Sequence, residues 1–143
     1  MKKTSMLRNK TLIVGCGRLG ASIAEKDSLA GKNVLVVDRD VNSFDRLSDR
    51  FTGYKITGDV TDLTLLENAY IGSAKEIIIT TGDDNVNLFI AQVAREIYGV
   101  PNIYVRLDDP SLEILIRGMD INAIFPHELS FNKFSLLRGG RAK

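Results

Sequence analysis

The chain has 143 residues, 44% hydrophobic and 26% charged, with a formal net charge of +1, enough for one domain with its own core and too few for two. Its 19 basic and 18 acidic side chains are interspersed, which excludes the concentrated field expected of a nucleic-acid or membrane-surface binder, and no apolar run approaches the ~20 residues of a membrane-spanning helix. With a single cysteine, Cys16, and a single histidine, His127, neither an internal disulfide nor a Cys/His zinc cluster is available, and a reducing, cytoplasmic setting is expected.

Residues 1–9 carry charge without an apolar segment and are expected to form a flexible arm. A short apolar run at 11–14 predicts the first strand. Gly15, Gly17 and Gly20 follow with the spacing G-x-G-x-x-G. Gly15 lets the chain leave the strand in a tight turn, Gly17 lets a diphosphate approach the backbone, and Gly20 lets the next helix lie close to the strand. That helix is expected over 19–30, with Leu19 and Ile23 toward the sheet and Gly31 ending it. Cys16, inside the turn, reads as a small space-filling residue rather than a redox centre. A second apolar run at 34–37 ends in Asp38, eighteen residues after Gly20, where a carboxylate can accept hydrogen bonds from both ribose hydroxyls.

A second helix, capped by Asn42 or Ser43, would carry Phe44, Leu47 and Phe51 inward. A third strand fits 54–57, and Asp62 or Thr61 would cap a short helix that Gly72 ends. The fourth strand is expected at 76–80 and the longest helix at 84–98. That helix has an apolar face wide enough to lie on a sheet or be shared with a partner subunit. A fifth strand at 103–107, a helix at 110–117, a sixth strand at 121–125 and a last helix with Leu129, Phe131, Phe134 and Leu137 complete the chain, leaving a loose end from Arg138.

Strands alternating with helices through short loops predict a single α/β domain of the Rossmann-like, doubly wound type: three layers, strand order 3-2-1-4-5-6. Ligands of such sheets meet the carboxyl ends of the strands. Here those ends carry the loop 15–20, Asp38 and Arg39, Gly58, Asp59 and Val60, Thr80, Thr81 and Gly82, and Arg106. Backbone donors would serve phosphate and Asp38 the ribose, with Asp59 and Val60 at the adenine edge. Asp38 would repel a 2′-phosphate, which disfavours NADP. Arg18, beside the diphosphate, reads either as a solvated charge or as the partner of a terminal phosphate in its own or a neighbouring subunit.

The sequence Gly-Cys-Gly-Arg-Leu-Gly at 15–20, the Asp38 strand tip, Gly58-Asp59 followed by Asp62, Thr81-Gly82-Asp83-Asp84 with Asn87, and Pro101 through Arg106 to Asp109-Pro110 resemble the N-terminal domain of regulators of potassium conductance (RCK), of the Trk/Ktr type (TrkA-N). The resemblance runs from about residue 10 to 128. It implies a peripheral subunit at the inner face of the plasma membrane that is no enzyme. Such a subunit binds AMP, ADP, ATP or NAD(H), gates a membrane-embedded potassium translocator, and assembles as dimers into rings, with a companion subunit as a further partner. It further implies that Gly15, Cys16, Gly17, Arg18, Leu19, Asp38, Asp59, Val60, Thr81, Gly82 and Arg106 contact nucleotide, with Asn87 a further site residue. Residues 10–126 would then be the nucleotide-binding domain and 127–143 a helix and tail that cross over to pair subunits. Many members carry a second ligand-binding domain, which the chain is too short to add, and the position of Glu128 gives it no metal role.

The main rival is an NAD-dependent oxidoreductase or its cofactor-binding fragment. None of Tyr54, Tyr70, Tyr98 and Tyr104 has a lysine four residues later, and no length is left for a substrate domain. A methyltransferase fits the third glycine and the Thr-Gly-Asp-Asp strand end less well. A scaffold-only sheet would bind no nucleotide.

Overall fold

The computed structural model describes residues 9–139; all but the last residue of the arm expected over 1–9, and the tail at 140–143, lie outside the described residues. Six strands, β1 (Lys10–Val14), β2 (Asn33–Asp38), β3 (Tyr54–Thr57), β4 (Ala74–Ile79), β5 (Asn102–Arg106) and β6 (Asn122–Ile124), form one sheet in the order β3-β2-β1-β4-β5-β6. Every neighbouring pair is parallel. The expected doubly wound order is therefore the observed one, with the order reversing between β1 and β4. Four α-helices accompany the sheet: α1 (Arg18–Leu29), α2 (Leu63–Asn68), α3 (Asp84–Glu96) and α4 (Pro126–Gly139). Short 3₁₀ segments cover Val41–Arg46, Ile71–Ser73 and Pro110–Leu115.

Continuous apolar strands imply a sheet covered on both faces, and the burial pattern bears this out. Leu12 and Val14 of β1 join Leu35, Val37, Ile77, Ile79, Ile103 and Val105 under α2 and α3 on one face. Ile13, between them, joins Val34, Val36 and Ile78 under α1 on the other. This is the period-2 alternation of a strand sorting its side chains into two cores.

Several local expectations change. α1 presents Gly20, Ala21, Ala24 and Ser28 to the sheet, while Leu19 and Ile23 are only half-buried on its flank. The helix lies so close to β1 that a Cβ on Gly20 would stand 2.0 Å from the Gly15 carbonyl oxygen, so only small residues fit that face. The expected second helix is the six-residue 3₁₀ segment Val41–Arg46, capped by Asp40 rather than Asn42 or Ser43. Phe44, Leu47 and Phe51 still reach the core, because extended backbone at Leu47 (ψ 134°) delivers them without a further helical turn. Asp62 caps α2, and Tyr70, not Gly72, turns the chain after it with φ 64°. The helix expected at 110–117 is a 3₁₀ turn over Pro110–Leu115. Arg138 and Gly139 belong to α4 rather than a loose end, and α4 has no buried residue.

Candidate functional site

Each strand leaves the sheet at the same edge, and the ends of β1 to β5 together enclose a cleft of about 440 Å³, within the ~300–1,000 Å³ of small-molecule sites. The glycine turn forms its floor. Gly15 has φ +103°, and a Cβ there would meet the Thr80 backbone at 2.8 Å. β1 and β4 are drawn together by Thr80 N–H donating to Val14 O at 2.8 Å and by Thr80 Oγ1 donating to Gly15 O at 3.1 Å. Gly17 is different: no atom lies within 4 Å of where its Cβ would be, so the space above it is open to the cleft.

α1 begins at Gly17 with no side-chain cap, so the N–H groups of its first turn, at the positive end of the helix dipole, have no partner in the helix. At four other helical starts an aspartate supplies that partner. Asp40, Asp62, Asp83 and Asp109 each accept from a backbone N–H of the helical segment they precede. The glycine turn alone among these five starts leaves its donors available to an anion.

Asp38 stands at the tip of β2. Its Oδ2 accepts from Cys16 N–H at 2.7 Å and its Oδ1 from Asp40 N–H at 2.8 Å. Each oxygen retains accepting capacity for a ribose hydroxyl, and the carboxylate is already fixed in place. Beside it, past the end of β3, Asp59 accepts from both N–H and Oγ1 of Thr61; these bonds hold its carboxyl below the usual range. Val60 and Val86 supply apolar lining. Arg106, from the end of β5, reaches Asp108 at 3.4 Å, while its Nε is buried without a partner. An orphaned donor and an open glycine in one cleft fit an anionic ligand such as a nucleotide.

Of the sequence-predicted residues, Gly15, Gly17, Asp38, Arg39, Asp59, Val60, Thr81, Gly82 and Arg106 line the cleft. Cys16, Arg18, Leu19, Gly20 and Asn87 do not. The Cys16 side chain points into the core beneath α1, and burial pushes its thiol up from the usual value. Arg18 is exposed outside the cleft. Asn87, 1% exposed, is a latch. Its amide oxygen accepts from Thr81 N–H and Oγ1, and its Nδ2 donates to Thr81 O at 3.0 Å and Arg106 O at 2.8 Å. It ties the ends of β4 and β5 together. Neighbouring Asp84 accepts from Asp108 and Asp109 N–H at 2.8 and 2.9 Å. Thr80, one of the strand-end residues read from the sequence, also lines the cleft, and so do Ser43, Arg46, Thr61, Asp83 and Val86, which the sequence reading does not place there. Thr80 is legible as a strand end; Arg46 is not, since nothing in the pattern shows where a 3₁₀ segment aims its last side chain. No group of three or more His, Cys, Asp or Glu suited to a metal occurs among the described residues.

A parallel doubly wound sheet with a glycine turn, an uncapped helix start and a strand-tip acid at its switch point defines a Rossmann-like domain with a cleft for an anionic ligand. The chain belongs to the TrkA-N domain family, whose model matches residues 11–126. It is 40% identical over 99 residues to the Trk system potassium uptake protein TrkA of Streptomyces coelicolor, covering 69% of this chain and 44% of that protein. It is 26% identical over 124 residues to the TrkA of Mycobacterium tuberculosis, covering 85% and 56%. The chain thus spans about half the length of these relatives. Among solved structures it resembles the TrkA-N domain of the Escherichia coli inner membrane protein ybaL (TM-score 0.77, 21% identity, 91% of this chain and 97% of that one). It also resembles the Kef C-terminal domain of Shewanella denitrificans in AMP-bound form (TM-score 0.68, 22%, 90% and 82%) and the GsuK channel bound to NAD (TM-score 0.68, 18%, 82% and 21%). At these identities the likeness concerns the fold. None of the helices is long and apolar enough to cross a membrane, among the described residues.

Proposed function

We propose that this chain is a nucleotide-binding regulatory domain, not an enzyme, that gates a potassium channel or transporter embedded in the membrane from its cytoplasmic face. The ligand is an adenine nucleotide (AMP, ADP or ATP) or NAD(H). The observation that carries the reading is the pairing, on one cleft, of the open glycine turn at Gly17 with the fixed carboxylate of Asp38. The first-turn N–H groups of α1 take the phosphates, Asp38 takes the ribose diol, and Asp59 and Val60 border the adenine. Thr81, Gly82 and Arg106 close the far wall, with Asn87 holding that wall in shape. Arg18 is left to a terminal phosphate or to a ligand of a neighbouring subunit. A relative bound to AMP and another bound to NAD support both ligand classes.

Gating requires that the ligand bind two arrangements of an assembly unequally. The surface of α4, with Leu129, Phe131, Phe134, Leu136 and Leu137 all about half exposed or more, supports its reading as the segment that pairs two copies, from which rings are built. Isothermal titration with AMP, ADP, ATP and NADH tests the site: saturable one-to-one binding of at least one is expected, and no binding of any would defeat the reading. Steady turnover of NADH with carbonyl substrates would instead favour an oxidoreductase.

A further inference from the structure

The face of the sheet that carries α1 is covered only in part. α1 packs on β1 and β2, and α3 covers β4 and β5 from the opposite face. Toward the amino edge, the bare part bears polar side chains where a doubly wound sheet buries apolar ones. Thr11, Glu76 and Asn102 are register partners across β1, β4 and β5, so they form one row on one face, and Tyr104 follows two residues along β5. Together with Lys32, Lys75 and the turn at Gly31 they line a second cavity, of about 510 Å³. It lies at the opposite end of the strands from the nucleotide cleft.

The floor of this cavity accepts hydrogen bonds and its rim donates them. Buried Thr11 donates from Oγ1 to Glu76 Oε2 at 2.7 Å. Among the described residues, Glu76 Oε1 and the Tyr104 hydroxyl take part in no hydrogen bond. Asn102 spends its Nδ2 on Lys75 O at 3.2 Å and keeps its side-chain oxygen. α1 ends beside Gly31, which brings the negative end of its dipole to the same place. A half-buried carboxylate there calls for a cation, and one is present: Lys32 Nζ stands 3.7 Å from Glu76 Oε2 and 3.8 Å from Asp27 Oδ1. Both distances are longer than a hydrogen bond, and the Lys32 side chain is 52% exposed where that of Glu76 is 20%. Burial pushes the Asp27 carboxyl above its usual value, and the charge of Lys32 offsets this only in part. The tethered ammonium is a loose occupant, on a flexible stem that can swing out to solvent.

We propose that this amino-edge cavity binds a free amino acid, whose ammonium replaces that of Lys32 between Glu76 and the Tyr104 ring while its carboxylate is taken by Lys75 and the displaced Lys32. A carboxylate and a tyrosine face both attract an ammonium. The lysine rim then selects a zwitterion over an amine or an acid alone. The site does not depend on the nucleotide reading and gives the domain a second input.

The test is saturation-transfer difference NMR on the full chain with L-alanine, ethylamine and propionate, three probes that each carry a methyl group. L-Alanine binds saturably, ethylamine at least threefold more weakly, and propionate not measurably. Glu76→Gln weakens L-alanine at least tenfold. Lys32→Met, at an exposed position and so carrying the test if Glu76→Gln does not fold, tightens ethylamine at least twofold, because the built-in competitor is gone. Saturating AMP leaves the L-alanine signal in place. Absence of a saturable L-alanine signal overturns the proposal. Propionate that binds as well as L-alanine also overturns it, leaving only an anion on two lysines. So does Lys32→Met without effect on ethylamine, which would make Lys32 a structural ion pair, and so does an L-alanine signal displaced by AMP, which would put the probe in the cleft.

Discussion

Gly17 and Gly20 stand three residues apart and answer opposite demands. A methyl group at position 20 would meet backbone at 2.0 Å, while one at position 17 meets nothing, and the backbone of Gly17, at φ −80°, suits any residue. Gly20→Ala is therefore expected to cost about 3 kcal/mol of stability through overpacking. Gly17→Ala should cost only about 0.5–1 kcal/mol, as a poorer N-cap, yet fill the space the ligand needs. Urea melts beside AMP titrations check the contrast: a Gly17→Ala protein that binds AMP as wild type does would remove the glycine turn from the site. Asn87→Ala should be costly for another reason. It leaves Thr81 N–H and Arg106 O without their partner, at about 2–4 kcal/mol for two groups, measurable as a lower urea midpoint with an unchanged slope. From sequence, an amide at the start of a helix facing strand ends reads the same whether it grips a ligand or a carbonyl. That is why Asn87 reads as a ligand contact in the sequence and is a latch in the fold.

At the scale of elements, the strands are legible because burial on both faces forces continuous apolar runs, and the residues at 12–14, 34–37 and 77–79 have no other use. The inward face of α1 is not legible. Leu19 and Ile23 are the larger apolar residues, but closeness to β1 selects Ala21 and Ala24 instead, and hydrophobicity alone does not encode interaxial distance. The 3₁₀ segments Val41–Arg46 and Pro110–Leu115 read as helices in the sequence, since apolar residues at helical spacing are satisfied equally by one tight turn. The aspartate cap of the second of them carries a pH signature. Asp109 is exposed and held below its usual value of 3.8 by the Ser111 side-chain and backbone hydrogen bonds. A depressed folded value means that its contribution is complete above the unfolded value and is lost as pH falls through the folded one. Thermal melts stepped from pH 5 to pH 3 should therefore show a smaller acid loss for Asp109→Asn than for wild type; equal losses would show that the cap contributes nothing.

For the whole molecule, the open question a sequence poses is which apolar surface belongs to its own core. Composition places Phe89, Ile97, Leu129 and Phe134 with the core residues, yet they are 41%, 61%, 61% and 49% exposed. A chain this size leaves single apolar residues in water routinely; a helix without one buried side chain is a different matter. If α4 pairs subunits as proposed, Leu129→Glu with Phe134→Glu should convert the proposed dimer or ring to a monomer in light scattering, with the circular dichroism spectrum unchanged. A wild-type chain that is already monomeric at high concentration would sink the crossover reading of α4. α3 connects the two scales. Its first turn grips the loop walls through Asp84 and Asn87, and it offers Phe89 on its outer side, and Ile97 just past its end, to solvent.

A rod of 13 residues is about 20 Å long and too stiff to bend under a few hydrogen bonds. If an occupant pushes on the loop at Thr81, the push cannot dissipate in slack chain; it becomes rotation of the rod. A rotation of about 5° would carry the far end of such a lever by about 2 Å. That is the distance over which two packed surfaces either mesh or separate, so under such a push this one helix would turn a small filling of space at one end into a change of fit at the other.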